Sequence, residues 1–249
     1  MALGLEYDGS RFLGWQTQPG GGTVQDALEA GLAAIAGERI DTNAAGRTDR
    51  GVHAREQVVH FDTAALRPAT AWVRGVNTFL PDSMAVLWAQ TVDADFHARF
   101  SALARTYRYH LLNRPVRPAL ASRQAGWYHA PLDLEAMREA ARALVGEHDF
   151  SAFRAAECQA KTPVRTVHSL AIERQGEHID FTIRANAFLQ HMVRNIVGTL
   201  MYVGSGKHAP SWVGEVLASR DRNQAAPTFA PEGLYLHKVE YDRKWSFPQ

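Results

Sequence analysis

Cysteine is almost missing from this chain. Cys158 stands alone among 249 residues, so no disulfide can close within it, and a reducing compartment is expected. Lysine is scarce too, at four of the 27 Lys and Arg residues. No apolar run approaches the ~18 residues that span a bilayer. The opening residues, MALGLEYDGSRFLGW, lack the basic segment and apolar core of a secretion signal. These absences lead us to expect a cytoplasmic protein with no membrane segment. Local cofactor signatures are absent as well: there is no GxxxxGK[ST] loop, no GxGxxG and no GxSxG. The eleven histidines offer no HxxxH pair, the nearest two being His53 and His60, and one cysteine cannot build a thiolate cluster. Neither a cofactor nor a metal is expected.

What is present reads as globular. At 46% hydrophobic and 21% charged the chain lies well outside the disordered regime, and its length suits one large domain or two ordinary ones. The net charge of +1 says little, because polyanion binding depends on where charge clusters. Here it does cluster. From His97 to Arg123 there are six arginines and no acid, and from Phe181 to Gly214 again no acid, with Arg184, Arg194 and Lys207 inside. Such stretches suit a face that holds a polyanion, and arginine suits bidentate phosphate contacts. Genomic base composition produces the same arginine bias.

The segments alternate between strand and helix patterns. MALGLEYD, EQVVHFDT and MAVLWAQTVD read as strands. TVQDALEAGLAAIAG reads as a helix with Thr23 as N-cap, Asp26 completing the cap and Gly37 ending it. ATAWVRGVNTFLP reads as a second helix ending before Pro81. The later segments repeat the rhythm: RTYRYHLL as a strand, PLDLEAMREAARALVGE as a helix, and HSLAIERQGEHIDFTIRA as a hairpin turning at Gln175-Gly176. NAFLQHMVRNIVGTLMYVGSG then predicts one long helix, and GLYLHKVEY a last strand. Two successive β-α-β-β-α-β-like units predict an α+β protein of two similar α/β halves, each a split βαβ, ferredoxin-like module. The halves are expected at residues 1–100 and 101–249.

Three places carry chemistry. In AAGRTDRGVHA an extended GRTD puts Arg47 and Asp49 on one side, where a guanidinium favours the ionised carboxylate and Asp49 can act as nucleophile or base. The alternative is a turn with a surface ion pair worth ~0–1 kcal/mol. In ARTYRYHLL, Arg105, Tyr107 and Tyr109 share one strand face, either packed on a core or, for Tyr107, offering a ring worth ~1–3 kcal/mol to a stacked base. On the long helix, Phe188, Leu189, Met192, Val193, Ile196, Val197 and Leu200 form a core stripe, while His191, Arg194 and Gly198 lie opposite. A mid-helix glycine costs about 1 kcal/mol against alanine, which close approach of another backbone or a ligand would offset. His53, His191 and Cys158 carry no role beyond packing or hydrogen bonding.

Taken together these blocks resemble a known family. GRTDRGVHA is similar to the signature of the tRNA pseudouridine synthase A (pseudouridine synthase I) family. LEYDGSRFLGWQ, FHARFSALARTYRYHLLN, HDFSAFR, ANAFLQHMVRNIVGTL and EGLYLHKVEY are similar to its other blocks, in its order. The resemblance spans nearly the whole chain. It implies that Asp49 is the catalytic nucleophile, that Arg47 pairs with it and helps displace the target base, and that Arg194 sits by it. It further implies that Tyr107 stacks on the target uracil and that Leu234 lines the pocket. The implied fold joins the halves in one mixed, largely antiparallel sheet with a basic cleft between them, the first half carrying the catalytic loop and the second the RNA-binding and pocket residues. The implied activity is isomerisation of uridine to pseudouridine at positions 38, 39 and 40 of the tRNA anticodon stem-loop by a homodimer without cofactor. Whether Asp49 attacks a sugar carbon or a base carbon, or removes a sugar proton, is open at this point. Two rival readings are a tRNA-binding protein without chemistry, and a nuclease or glycosidase pairing Asp49 with Glu56 or Asp62.

Overall fold

In the computed structural model, which describes residues 1–248, the chain forms two compact units. One comprises Met1–Leu103 with the chain from Tyr235 onward, the other Ala104–Leu234. The apolar opening run forms β1 (Ala2–Tyr7), buried at all positions but Glu6. Such a run is what a strand covered on both faces requires. The following segment, Asp8 to Trp15, leads into α1 (Val24–Ala36), whose ends match the sequence expectation. Thr23 and Asp26 form a reciprocal capping box, and Gly37 closes the helix in the left-handed region at φ 78°. Val24, Leu28, Leu32 and Ala36, one residue per turn, are its buried face.

After β2 (Asn43–Ala44) comes β3 (His53–His60), which starts earlier than EQVVHFDT suggested. The expected second helix is present as a helical segment with a π-helical turn at Ala71–Gly75. Its Trp72 is buried edge-on to Phe61, and Asn77 clasps the backbone of Val86 in β4 (Met84–Gln90), donating to its carbonyl and accepting from its N–H. β1 pairs antiparallel with both β3 and β4.

The second unit is built on β5 (Ala102–Asn113), with the short β6 (Gly126–Tyr128) parallel to it. Its first helix, α2 (Leu134–Ala141), is N-capped by Asp133 and followed by a 3-10 turn at Arg142–Leu144. Then come β7 (Gly146–Asp149), β8 (Val164–Gln175) and β9 (His178–Ala185), giving the antiparallel order β5-β9-β8-β7. The hairpin turns one residue later than expected: Gln175 pairs with His178, and Gly176 takes φ +61°.

The long helix is shorter than its pattern. α3 (Met192–Gly204) starts only after His191, which takes the left-handed conformation at φ 63°. The Asn186 side chain accepts from the N–H groups of Thr166 and Ala187, the local bonding by which Asn competes with a helix. A further helix, α4 (Trp212–Ser219), did not stand out in the sequence. Gly204 lets α3 meet α2 closely, since a Cβ there would lie 2.4 Å from Met137 Sδ. The last strand, β10 (Leu234–Tyr241), runs parallel to β3 in the first unit, pairing Tyr235 with His53. That unit's order is β4-β1-β3-β10. The α+β class with largely antiparallel sheets is therefore as the sequence predicts.

Candidate active site

The GRTDRG stretch is a loop delivered into β3 and held by its neighbours. At its start, buried Gln57 grips Gly46, donating to the Gly46 carbonyl at 2.6 Å and accepting its N–H at 3.4 Å. Thr48 points inward, 6% exposed, with its Oγ1 2.8 Å from the Tyr7 hydroxyl. Arg47 is exposed and Asp49 half-buried, the alternation expected of an extended GRTD. The Thr48 carbonyl accepts the Trp15 N–H at 2.9 Å. Directly after Thr48 the chain turns: the Val52 N–H donates to the Asp49 carbonyl at 3.1 Å, and Gly51 takes φ +82°. A turn with positive φ at its third residue calls for glycine there. The Asp49 backbone carbonyl thus closes the turn, and the residue is half-buried.

At Gly9 and Gly14 the segment from Asp8 to Trp15 lies against this loop with no room for a side chain. A Cβ on Gly9 would stand 1.9 Å from the Val52 carbonyl oxygen, and one on Gly14 3.1 Å from that of Thr48. Gly9 also donates its N–H to Nδ1 of buried His53 at 3.1 Å. The Asp8 carboxylate lies 3.1 Å from the same nitrogen. Nδ1 accepts from Gly9 when it carries no proton and donates to the Asp8 carboxylate when it carries one; in both forms it ties the Asp8–Gly9 segment to the head of β3. The His53 ring stacks on Tyr235 at 4.5 Å. Burial pushes the Tyr7 phenol up to about 12, the hydrogen bonds to Thr48 and Gln57 opposing it. Tyr235 is likewise pushed up to about 12, by burial and then by the negative charge of Asp8.

The remaining sequence candidates belong to the second unit, where one segment links Arg194 to Leu234. Arg194 of α3 donates from Nε to the Phe229 carbonyl at 2.8 Å and receives the Phe229 N–H on its own carbonyl at 3.3 Å. One turn later Gly198 admits that segment: a Cβ would lie 2.4 Å from the Pro227 carbonyl oxygen. Close backbone approach therefore explains the mid-helix glycine. Tyr109, fully buried, donates to the Ala230 carbonyl at 2.9 Å, and the His110 N–H donates to the Gly233 carbonyl at 2.8 Å. Thus Arg194, Tyr109 and His110 pin residues 229 to 233, and Leu234, 5% exposed, follows at the head of β10. Tyr107 is 9% exposed, its ring at 81° to that of Phe188 and 4.9 Å away.

The basic stretches divide by exposure. Arg105, 8% exposed, donates to the Asn186 carbonyl and is part of the packing, whereas Arg117 and Arg123 are exposed. Among the described residues no group of three or more His, Cys, Asp and Glu side chains is placed to hold a metal ion, and no helix is long and apolar enough to cross a membrane. What sequence reading missed is the framing of the loop by Tyr7, Gly9, Trp15 and His53. The one available signal was the glycine spacing in YDGSRFLGW.

Comparison with known proteins shows the family. A family model described as tRNA pseudouridine synthase matches residues 5–101 and 140–242. The tRNA pseudouridine synthase A of Herminiimonas arsenicoxydans is 59% identical over 253 aligned residues, covering 100% of this chain and 92% of its own. The protein of that name from Methylobacillus flagellatus is 57% identical over 248 residues, covering 100% and 95%. That from Bordetella petrii is 60% identical over 243 residues, covering 97% and 91%.

Proposed function

The chain belongs to the tRNA pseudouridine synthase family and is an isomerase that converts uridine to pseudouridine; on that premise we propose that it acts on uridines 38, 39 and 40 of the tRNA anticodon stem-loop, with Asp49 as nucleophile and no cofactor. The observation that supports Asp49 is its position. It is a half-buried carboxylate on a glycine turn whose flanking residues, Thr48 and Val52, are held by Trp15, Tyr7 and Gly9. A group held in this way keeps its geometry during the reaction, which is where enzymes gain most from orientation.

The reaction breaks the bond between C1′ and N1 of uridine, turns the base and joins C1′ to C5, whose proton is released to water while N1 takes one up. Atoms and electrons balance without an oxidant or reductant. Asp49 supplies the carboxylate for the detachment. Arg47, exposed beside it in sequence, pairs with Asp49 and helps displace the target base. Taking the base out of its stack costs a few kcal/mol, which Tyr107 offsets by stacking on the uracil. Leu234 provides an apolar wall. Arg194, oriented through its bond to Phe229, supplies a second cation to the reaction. Exposed arginines hold backbone phosphates and read A-form shape more than sequence. The working form is a homodimer in the cytoplasm.

The test is tritium release in EDTA from transcripts whose uridines are labelled at C5, with wild type and Asp49→Asn side by side. Transcripts keeping uridine at only one of positions 38, 39 and 40 assign the site. Release by wild type alone, with the RNA chain intact and no free uracil, is the expected result. Release by both proteins would remove Asp49 from the chemistry. Tight binding without release by either would favour the non-catalytic tRNA binder.

A further inference from the structure

We infer that His53 is a positioning residue for Asp49: through its Nδ1 it holds the Gly9 N–H, and with it the segment from Asp8 to Trp15 that clamps the reacting loop. The inference rests on the reading of Asp49 as the reacting carboxylate. Three observations carry it. His53 is 2% exposed and sits at the first position of β3, four residues after Asp49, so its backbone is continuous with the turn. Its Nδ1 accepts the N–H of Gly9 at 3.1 Å, a bond between residues 44 apart in sequence. The peptide so held is the one at which even a methyl group would meet the Val52 carbonyl at 1.9 Å.

The clamp therefore has two ends. Trp15 fixes the carbonyl just before Asp49, and Gly9 lies against the carbonyl at the end of its turn. The first end is a backbone hydrogen bond and needs no particular side chain. The second end is only van der Waals contact, and His53 is the side chain that ties it down. The ring is itself placed from the far side by stacking on Tyr235 at 4.5 Å, so β10 contributes to its orientation. If the Gly9 segment lifts, the turn keeps its internal bond from Val52 to Asp49 but loses its outer wall, and the carboxylate is free to shift. A displacement of about 1 Å at a reacting group can cost 100-fold in rate.

Acceptor and ring are separable by substitution. In His53→Asn the Oδ1 atom stands close to where Nδ1 stood and can accept the Gly9 N–H, while the stack on Tyr235 is lost. In His53→Phe the stack remains and the acceptor is gone. His53→Ala, which removes both and cannot clash, is read beside them so that a misfolded phenylalanine variant does not stop the experiment. Each is assayed by tritium release for kcat and KM, with melting temperature measured on the same preparations and Asp49→Asn as reference. We expect His53→Phe and His53→Ala to lose about 10- to 100-fold in kcat with little change in KM, and His53→Asn to stay within about threefold of wild type.

Gly9→Ala should show the same kcat loss with His53 intact. The inference is overturned if Asp49→Asn is inactive while all three His53 variants turn over like wild type. It is equally overturned if kcat simply follows melting temperature, with His53→Asn as impaired as His53→Phe. An active Asp49→Asn would instead remove the reading of Asp49 itself, and the positioning role with it.

Discussion

The hydroxyl of Tyr7 lies where β1, the reacting loop and β3 meet, 2.8 Å from Thr48 Oγ1 and 3.4 Å from Gln57 Nε2. Burial raises its phenol to about 12 from an ordinary value near 10, so the folded state holds the proton more tightly than the unfolded chain does. The sign follows from linkage. Its contribution to stability is complete below about pH 10 and is lost as pH rises toward about 12. Tyr7→Phe removes both the ionisation and the bond to Thr48, whose buried hydroxyl then lacks that partner. Stability should drop by ~1–3 kcal/mol at neutral pH, and the alkaline decline should become shallower. Urea titrations at neutral pH and across the alkaline range measure both effects. A decline as steep as in wild type would mean that ionisation of Tyr7 is not what weakens the fold there. At this scale the sequence was legible where contacts are local: alternation alone placed Thr48 opposite Arg47 and Asp49. It was not legible for His53, because its partner Gly9 belongs to another segment and no local pattern connects them.

At the scale of elements, α3 shows two effects in opposition at one residue. Alanine at Gly198 would favour the helix by about 1 kcal/mol through backbone propensity. Its methyl would also stand 2.4 Å from the Pro227 carbonyl oxygen, a backbone atom that cannot simply rotate away. Overpacking of this kind costs ~1–3 kcal/mol, so the steric term should win and Gly198→Ala should lower stability. The displaced segment is the one bonded to Arg194 through Phe229, so turnover should drop as well. Denaturant unfolding and tritium release test this together; a stabilised, fully active variant would show that the segment moves aside freely. Helices were legible to the extent that caps and stripes are local. α1 could be read to its capping box and its C-terminal glycine. The start of α3 was misplaced because apolar spacing runs on through Phe188 and Leu189, while the chain stays non-helical up to His191, which takes φ 63°. The return of β10 to pair with β3 was not legible, since a parallel partner most of the chain away leaves no periodicity to find.

At the scale of the whole molecule, net charge hides what arginines do, and exposure sorts them. Two acid-free stretches suggested a polyanion-binding face, yet Arg105 within the first is buried and bonded to Asn186, so its charge serves the fold. Arg117 and Arg123, in the same stretch, are exposed and able to meet phosphate. Each phosphate neutralised by a protein cation releases counterions, so the logarithm of affinity should decrease with the logarithm of salt by about 0.7–0.9 for each contact. Binding of tRNA should therefore weaken steeply as KCl is raised. If the exposed pair contacts backbone, Arg117→Ala and Arg123→Ala should each lower the slope by that increment while leaving kcat at saturating tRNA nearly unchanged. Arg105→Ala should behave differently. It leaves the Asn186 carbonyl without that donor, so it should cost stability of ~1–3 kcal/mol and leave the slope where it was. Filter binding over a series of KCl concentrations, with melting curves on the same proteins, separates the two classes. A slope altered by Arg105→Ala and not by the exposed pair would place the phosphate path away from residues 117 to 123.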